Sequence, residues 1–430
     1  MSRVCRATAD PVDPVDPVDP VDPVDPVDPV DPVDPVDPVG PVDPARLADF
    51  VPVNPSRVFD TRPEAPSALR VVDKSKIGGP KVLEVKMTDL ADLVPAGGVG
   101  AVSLNVTAVD PDGAGYVTVY PCGALPLASN LNYLAGQTVP NAVIAPVSAT
   151  GTVCFYSLRQ ADIVVDINGW FRAGGGYTPV GPQRVVDTRP DTNSTALRVG
   201  PATKLLAGEE MQLQLSDLGP SIPSSGVAAV SLNVTVVDAD QPGFLSVYPC
   251  GRRPLVSNVN YEAGATVANE VFAVLSSSGS ACFFANANID LVVDVNGWLA
   301  SVSDFSRSGP VRVVDTRPGE IGNALLHPIP LQPGKVLAVD VADLGGLVPA
   351  SGVSAVSLNV TATNVTSAGF ITVFPCGQVP LVSSVNYAPP RSSTANAVLV
   401  PVSAAGTVCF FSFAPVDLVV DINGWFAAAA

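Results

Sequence analysis

Three copies of one unit limit how this chain of 430 residues can fold. The closing motif of the unit, Asp-x-Asn-Gly-Trp, begins at Asp166, Asp294 and Asp421, and its copies contain all three tryptophans of the chain. Equivalent positions lie 126 to 128 residues apart. That period has the size of a whole domain, whereas solenoid and propeller-blade periods are far shorter. The sequence therefore predicts three similar domains in series, called repeats 1, 2 and 3 below: residues 50–173, 174–300 and 301–430.

Four earlier motifs recur in the same order within each unit. They are Asp-Thr-Arg-Pro, Ser-Leu-Asn-Val-Thr, Tyr/Phe-Pro-Cys-Gly and Asn/Ser-x-Asn-Tyr, which begin in repeat 1 at Asp60, Ser103, Tyr120 and Asn130. The series resembles a tandem module of large exported proteins of actinobacteria and related bacteria, over nearly all of residues 50–427. That family has no established activity, so the resemblance implies a location at or outside the cell surface and no particular chemistry.

Alternating apolar and polar residues predict strands in each repeat. Val102, Leu104 and Val106 alternate with polar residues, which is typical of a strand with one buried face. Seven further runs of this kind lie between residues 53 and 170, separated by turn residues, and only residues 88–93 could form a helical turn. We expect an all-β chain of three tandem β-sandwich domains, each of the jelly-roll or immunoglobulin-like type. The short connections between the repeats predict that neighbours touch.

The N-terminal region is a low-complexity tract. Residues 10–44 repeat Pro-Val-Asp, with one interruption at Gly40. A proline at every third position excludes a helix or a central strand, and polyproline II would align the aspartates along one edge. At about 3.1 Å per residue the tract could extend on the order of 100 Å. We expect residues 1–49 to form an extended or disordered stalk, and a solvated tail without a selected length is the alternative.

Charge and hydropathy exclude some classes of partner. The formal net charge is −17, but eleven of the acidic residues lie in the tract between Asp10 and Asp43. The repeats offer no basic face for nucleic acid, and no apolar run reaches the roughly 18 to 20 residues that span a bilayer. Residues 1–6 lack the apolar core of a signal peptide, so we expect either export by another route or a true N-terminus upstream of Met1. We expect a partner from the cell envelope, or an extracellular glycan or protein.

Six of the seven cysteines fall into regular pairs, one for each repeat. The pairs are Cys122 with Cys154, Cys250 with Cys282 and Cys376 with Cys409. Their near-constant separation predicts one disulfide per repeat, and therefore an extracellular or cell-surface protein. Each bond would stabilise its domain by about 3–4 kcal/mol. Buried free thiols are the alternative; a zinc site is not favoured, because no histidine or further cysteine accompanies the pairs. Cys5 is the unpaired cysteine.

The first and last motifs of each repeat predict a structural clasp. The first and last strands of a sandwich can lie side by side, and strand alternation places Asp166, Asn168 and Trp170 on one face. We expect Arg62 to pair with Asp166 or Asp60, and Asn168 to make turn hydrogen bonds. The alternative is a calcium or sugar site, although two oxygen side chains are too few for a calcium cage. The predicted clasp residues are Asp60, Arg62, Asp166, Asn168, Trp170, Asp187, Arg189, Asp294, Asn296, Trp298, Asp315, Arg317, Asp421, Asn423 and Trp425.

Asparagine and tyrosine side chains form a candidate ligand patch in repeats 1 and 2. Its members are Asn130, Asn132, Tyr133, Asn141, Asn258, Asn260, Tyr261 and Asn269. The amide groups could hydrogen-bond the hydroxyl groups of a sugar that stacks on the tyrosine ring. Alternatively, these side chains form hydrogen bonds with backbone groups of loops. Asn105 and its counterparts, which lie in glycosylation sequons, are interpreted as residues that hydrogen-bond across strands.

The sequence does not favour catalysis. The single histidine, His327, lies in one repeat only, so no histidine-based triad can recur. No phosphate loop, zinc motif or nucleotide fingerprint is present, and Arg62 would keep a pair of Asp60 and Asp166 ionised. We expect no enzyme, cofactor or metal, but a non-catalytic exported protein with a structural or adhesive role at the surface. The alternatives are a multivalent carbohydrate-binding protein and, much less favoured, a hydrolase that uses carboxylates.

Overall fold

The fold is that of a computed structural model, which describes residues 48–190, 203–320, 324–326, 330–389 and 393–429. The Pro-Val-Asp tract, Cys5 and His327 lie outside these residues. The regular secondary structure of the described residues consists of strands in six four-stranded antiparallel sheets, two from each repeat. This part of the chain contains no helix that is long and apolar enough to cross a bilayer.

Each repeat contributes eight strands. Repeat 1 contains β1 (Phe50–Asp60), β2 (Val82–Lys86), β3 (Val99–Val109), β4 (Gly115–Pro121), β5 (Leu131–Tyr133), β6 (Thr138–Pro146), β7 (Thr152–Ser157) and β8 (Asp162–Arg172). Repeat 2 contains β9 (Tyr177–Asp187), β10 (Glu210–Gln214), β11 (Val227–Val237), β12 (Gly243–Pro249), β13 (Val259–Tyr261), β14 (Val267–Val274), β15 (Ser280–Ala285) and β16 (Asp290–Ala300). Repeat 3 contains β17 (Phe305–Asp315), β18 (Val336–Asp340), β19 (Val353–Thr363), β20 (Gly369–Pro375), β21 (Val385–Tyr387), β22 (Ser393–Pro401), β23 (Thr407–Ser412) and β24 (Asp417–Ala427).

The two sheets of a repeat have the same strand order in all three copies. In repeat 1 the inner sheet is β1-β8-β3-β6 and the outer sheet is β2-β7-β4-β5. The inner sheets of repeats 2 and 3 are β9-β16-β11-β14 and β17-β24-β19-β22, and their outer sheets are β10-β15-β12-β13 and β18-β23-β20-β21. The prediction that the first and last strands lie side by side is confirmed, since β1 pairs with β8. The eight strands predicted for repeat 1 are all present, and residues 88–93 form turns.

Apolar side chains from both sheets of a repeat form one buried cluster. In repeat 1, Leu104 and Val165 of the inner sheet belong to the same cluster as Val119 and Phe155 of the outer sheet. Equivalent clusters occupy repeats 2 and 3. The three cysteine pairs named from the sequence are disulfide-bonded, and each bond joins the end of one outer strand to a neighbouring outer strand.

A fourth buried cluster joins the three repeats. Its members from β1, β8, β9, β14, β17 and β24 include Phe50, Phe171, Tyr177, Phe272, Phe305 and Phe426. The ring centroids of Phe50 and Phe426 are 4.8 Å apart, those of Phe171 and Tyr177 are 4.3 Å apart, and those of Phe272 and Phe305 are 6.2 Å apart. Repeat 1 therefore contacts repeat 3 as well as repeat 2, and the three repeats close into a ring.

The inner sheets differ in one respect from the sequence-based expectation. The alternation in β3 predicts a polar face in contact with solvent, but the polar residues Ser103, Asn105 and Thr107 are 2%, 4% and 3% exposed. Both faces of β3 are buried, because the face that carries these residues packs against other parts of the ring. Asn105 on that face has its hydrogen-bond partners within the protein, whereas the hydroxyl of Thr107 has none among the described residues.

Candidate functional site

A β-bulge determines which side chains of the closing motif face the core. On β3, Ser103 and Leu104 are consecutive, but they pair with Gly169 and Ile167 of β8, which leaves Asn168 as the extra residue. One extra residue reverses the alternation of the side chains that follow it. Trp170 therefore lies in the core cluster of repeat 1 with Ile167, and not on the face of Asp166. The expected turn at Asn168 is wrong as well, since this residue lies inside β8.

The glycine of the closing motif accommodates an aromatic ring. The ring of Phe50 lies against Gly169 so closely that a Cβ atom there would collide with it. Tyr177 occupies the same place over Gly297, and Phe305 does so over Gly424. These three aromatic residues belong to the central cluster. The glycine thus lets the first strand of each repeat place an aromatic side chain at the centre of the ring.

The clasp contains an arginine that sequence reasoning missed. The carboxylate of Asp166 accepts hydrogen bonds from Arg57, which also bonds Asp60 at 2.8 Å. Arg62 pairs with Asp60, at 2.6 Å between Nη2 and Oδ2, and not with Asp166. The side chain of Arg57 is 15% exposed and that of Arg62 is 42% exposed. Arg57 is therefore the cation at the buried end of the clasp.

A second bulge brings Arg57 and Asp60 to the same side of β1. Arg57 is opposite Asp166 and Phe59 is opposite Val165, so the intervening Val58 is the extra residue. Without it, two residues three positions apart in a strand would point to opposite faces. The bulge thus lets one guanidinium reach both carboxylates.

The same clasp is present in all three repeats. Arg184 bonds Asp294 and Asp187, and Arg312 bonds Asp421 at 2.9 Å and Asp315 at 3.5 Å. Arg189 and Arg317 pair with Asp187 and Asp315, each at 2.6 Å. The sequence contains a signal for the missed residue, because an arginine precedes the Asp-Thr-Arg aspartate by three positions in every copy.

The two aspartates of the clasp differ in acidity. Burial raises the pKa of Asp60, but the hydrogen bonds and charge of Arg62, together with Arg57, outweigh it and leave the pKa below its ordinary value. Burial raises the pKa of Asp166 to about 6, although Arg57 opposes the rise. The deeper carboxylate is thus stable in its charged form only while Arg57 stays beside it.

Asparagines of the Ser-Leu-Asn-Val-Thr motif close the junctions between repeats. The Nδ2 atom of Asn141 donates to Asn233 Oδ1 at 3.0 Å, Asn269 donates to Asn359 at 2.9 Å, and Asn396 donates to Asn105 at 2.8 Å. These bonds link repeat 1 to 2, repeat 2 to 3 and repeat 3 to 1. The acceptor asparagines donate back across the same junctions to the carbonyl oxygens of Ser129, Ser257 and Ser383, each at 2.6 Å.

Backbone amides complete each junction. Asn141 Oδ1 accepts the amide N–H of Glu270, and the amides of Ala397 and Ala142 donate in the same way to Asn269 and Asn396. The side chain of Asn105 therefore bonds to another repeat, and the interpretation of this residue as a bond between strands of its own sheet is wrong. Every junction contains three such side-chain hydrogen bonds, so the ring has threefold pseudosymmetry in its polar contacts as well.

The candidate ligand patch is largely buried. Asn130 and Asn141 are 2% and 0% exposed, and Asn130 Oδ1 accepts the amide N–H of Val119. The hydroxyl of Tyr133 bonds Ser157 at 2.7 Å. Asn258, Asn269 and Tyr261 are buried in the same positions of repeat 2, and only Asn132 and Asn260 are partly exposed. The polar groups of this patch serve the fold and the junctions.

Repeat 2 contains a buried acid at the centre of the ring. Glu270 is 1% exposed and occupies the position of Ala142 and Ala397 in the other repeats. Its carboxyl group accepts hydrogen bonds from Ser231 and from Asn296, the latter at 2.8 Å. Burial raises the pKa of Glu270 to about 8, because neither of these partners carries a charge.

The described residues contain one group of metal-ligand type. Glu84, Cys122 and Cys154 lie close together, but the sulfur atoms of both cysteines are bonded to each other. A disulfide does not offer the thiolate ligands that zinc prefers. The buried carboxylates of the clasps, Asp166, Asp294 and Asp421, are each bonded to an arginine.

Comparisons with solved structures give distant likenesses, two of which are described here. No protein-family model matches the chain, and no curated protein matches it. A chain from "The Triple Jelly Roll Fold and Turret Assembly in an Archaeal Virus" is 8% identical, with 89% of this chain and 91% of that one covered, at a TM-score of 0.19. A chain from "X-ray structure of the entire lipid-containing bacteriophage PM2" is 10% identical, with 82% and 98% covered, at a TM-score of 0.14. Neither likeness is close enough to say anything of the fold or function of this chain.

Proposed function

We propose that this chain is a non-catalytic structural protein of the cell surface or extracellular space. Three jelly-roll β-sandwiches form a single-chain, threefold ring, and the Pro-Val-Asp tract acts as a stalk that separates the ring from its point of attachment. The protein adheres or presents its surface, and it does not transform a substrate.

The strand orders support the jelly-roll assignment. Eight strands divided as 1-8-3-6 and 2-7-4-5 correspond to the two interleaved four-stranded sheets of a jelly roll. An immunoglobulin-like domain would instead place its first, second and fifth strands in one sheet. The single buried cluster between the sheets of each repeat fits a sandwich.

The burial of the repeated polar residues carries the functional proposal. A catalytic or binding motif that recurs in three copies would place its polar groups where a substrate can reach them. Here Asp166 and Asn105 are 1% and 4% exposed and are fully engaged in the clasp and the junctions. The most recurrent polar residues of the chain thus serve to build and close the ring.

The disulfides support the proposed compartment. One bond in each repeat would not persist in a reducing cytosol. The resemblance to exported tandem modules points to the same location.

Surface labelling tests this proposal. In the organism that encodes the chain, an antibody against the ring is expected to label intact cells or to find the protein in the medium. Mass spectrometry of the native protein after alkylation without reduction is expected to find Cys122 and Cys154 unmodified, together with the other two pairs. Labelling only after permeabilisation, with six alkylated thiols, would contradict the proposal.

A further inference from the structure

We propose that Tyr116 and Tyr156 form a modification site, at which a peroxidase and hydrogen peroxide join the two tyrosine rings in an intramolecular dityrosine bond. The two residues belong to the outer sheet of repeat 1, whereas the clasps and the junction asparagines belong to the inner sheets. Such a cross-link goes beyond the proposed structural role and does not depend on it.

Paired strands bring the two rings into contact. Tyr116 lies on β4 and Tyr156 on β7, and these strands pair with each other. Their sequence neighbours Val117 and Phe155 belong to the core cluster of repeat 1, so the two tyrosines lie on the opposite face of the sheet. The ring centroids are 6.0 Å apart at an interplanar angle of 49°, which is within the range of contacting aromatic pairs. Burial raises the pKa of Tyr116, and the neighbouring phenol of Tyr156 raises it further. The two phenols are therefore placed to react with each other.

These two residues are the accessible tyrosines of the chain. All eight tyrosines lie within the described residues, and Tyr116 and Tyr156 are partly exposed. The other six are only 1% to 4% exposed: Tyr120, Tyr133, Tyr177, Tyr248, Tyr261 and Tyr387. An oxidant in solution therefore meets the two tyrosines that lie side by side, and burial protects the others.

The other repeats show that the sheet does not need the two hydroxyl groups. Phe244 and Phe284 occupy these positions in repeat 2, and Phe370 and Phe411 occupy them in repeat 3. Both pairs have ring centroids 6.1 Å apart, with interplanar angles of 44° and 45°. Phenylalanine thus gives the same packing, and repeat 1 differs by having a phenol on both rings. Two phenols in contact allow a coupling reaction that two phenyl rings do not.

Dityrosine forms by one-electron oxidation of each phenol. Each tyrosine loses an electron and its hydroxyl proton, which leaves a radical whose unpaired electron is shared by the oxygen and the ring carbons ortho to it. The two radicals couple through one ortho carbon of each ring, and the hydrogens on these carbons move to the oxygens to restore two phenols. The two electrons and two protons reduce one molecule of hydrogen peroxide to two of water. Because the rings are in contact, the coupling is intramolecular, which favours it over a reaction between chains.

The new bond would reinforce a connection that the disulfide of repeat 1 already makes. Cys122–Cys154 joins the end of β4 to β7, and the tyrosine rings would join the same two strands. Thiols cleave a disulfide but not a carbon–carbon bond. The outer sheet of repeat 1 would therefore keep a covalent link after its disulfide is reduced.

Oxidation of the purified full-length chain tests the proposal. Horseradish peroxidase with one equivalent of hydrogen peroxide is expected to produce dityrosine fluorescence in a chain that stays monomeric on a reducing, denaturing gel. After reduction and alkylation of the cysteines, thermolysin separates the two tyrosines. Mass spectrometry is then expected to find peptides of Tyr116 and Tyr156 joined, lighter than their sum by two hydrogen atoms. The absence of dityrosine, a bond between other tyrosines, or covalent dimers as the main product would overturn the proposal.

Variants that copy the other repeats provide the matched controls. Tyr116→Phe and Tyr156→Phe introduce the phenylalanine of repeats 2 and 3, and each is expected to abolish the intramolecular bond without changing the melting temperature. Tyr156→Phe combined with Val336→Tyr keeps two accessible tyrosines, because Val336 is 45% exposed, but places them in different repeats. This double variant is expected to give no intramolecular dityrosine. Undiminished intramolecular dityrosine in any of these variants would refute the site.

Discussion

The inner and outer sheets of each repeat have different surroundings. Strand β8 of the inner sheet has eleven residues, and all except Arg172 are buried. Strand β2 of the outer sheet has five residues, and Val82, Glu84 and Lys86 are exposed on one face. The inner sheet is covered by its own partner sheet and by the other repeats, whereas the edge strand β2 of the outer sheet has solvent on one side.

This difference decides what a polar side chain contributes. On the inner sheet, an asparagine or aspartate must find its hydrogen-bond partners inside the protein. Removal of one of these groups therefore leaves the other buried without a hydrogen bond. On the exposed face of the outer strand β2, water replaces a lost partner. Equal substitutions on the two sheets are therefore expected to have unequal effects on the free energy of unfolding.

The largest expected effect follows loss of the buried arginine of the clasp. Arg57→Ala leaves Asp166 buried without a cation and should lower the free energy of unfolding by about 3–5 kcal/mol. Arg62→Ala removes the more exposed arginine and should cost about 1 kcal/mol or less. Urea denaturation of the full chain measures both. Equal losses of unfolding free energy in the two variants would show that burial does not determine how much each arginine contributes to stability.

A pH-dependent effect is expected at the centre of the ring. Between pH 4.5, the ordinary pKa, and about pH 8, Glu270 keeps its proton in the folded protein but loses it in the unfolded chain. Stability should therefore fall as pH rises across this window, by about 1.4 kcal/mol per pH unit from this group. Below and above the window the contribution should be constant.

Glu270→Gln isolates this contribution. The variant keeps the shape of the side chain without its titration, so the wild type should lose about 4 kcal/mol relative to it between pH 5 and pH 8. Denaturation curves at several pH values measure the difference in the free energy of unfolding between the two proteins. The titration of the aspartates is common to both proteins and cancels in this difference. Parallel pH profiles of wild type and variant would contradict a raised pKa at Glu270.

A smaller effect is expected from a single junction asparagine. Asn105→Ala leaves the amide of Asn396 and the carbonyl oxygen of Ser383 without this partner, which should cost about 2–3 kcal/mol. Asn132→Ala, on the partly exposed outer strand β5, should cost about 0.5 kcal/mol or less. Thermal denaturation compares the stability of the two variants. A larger loss of stability for Asn132→Ala than for Asn105→Ala would contradict the expected order.

The smallest effect is expected on the solvent face of the outer sheet. Glu84→Ala removes an exposed carboxylate from β2 and should change the free energy of unfolding by no more than about 0.5 kcal/mol. Its measured value sets the baseline for the other variants. A loss above 2 kcal/mol would mean that this face of the outer sheet is covered in the folded protein.

Local patterns were sufficient to predict the strands and one half of the clasp. Alternation placed the strands of repeat 1, and the short separation of Asp60 and Arg62 allowed their pairing. Alternation failed at Val58 and Asn168, because a bulge depends on how a strand pairs with its neighbours, and the sequence of one strand does not reveal this. For that reason Arg57 was missed and Trp170 was assigned to the wrong face.

The sequence by itself determined the repeat, the β-rich character and the cysteine pairs, since period, alternation and spacing are local properties of the chain. Only the tertiary structure decided that repeat 3 returns to repeat 1 and that Asn105 lies in a junction. These features depend on which polar groups meet after the sheets have packed. The local sequence around an asparagine in a strand is the same whether its side chain faces water or another repeat. Only the closed ring distinguishes these two environments.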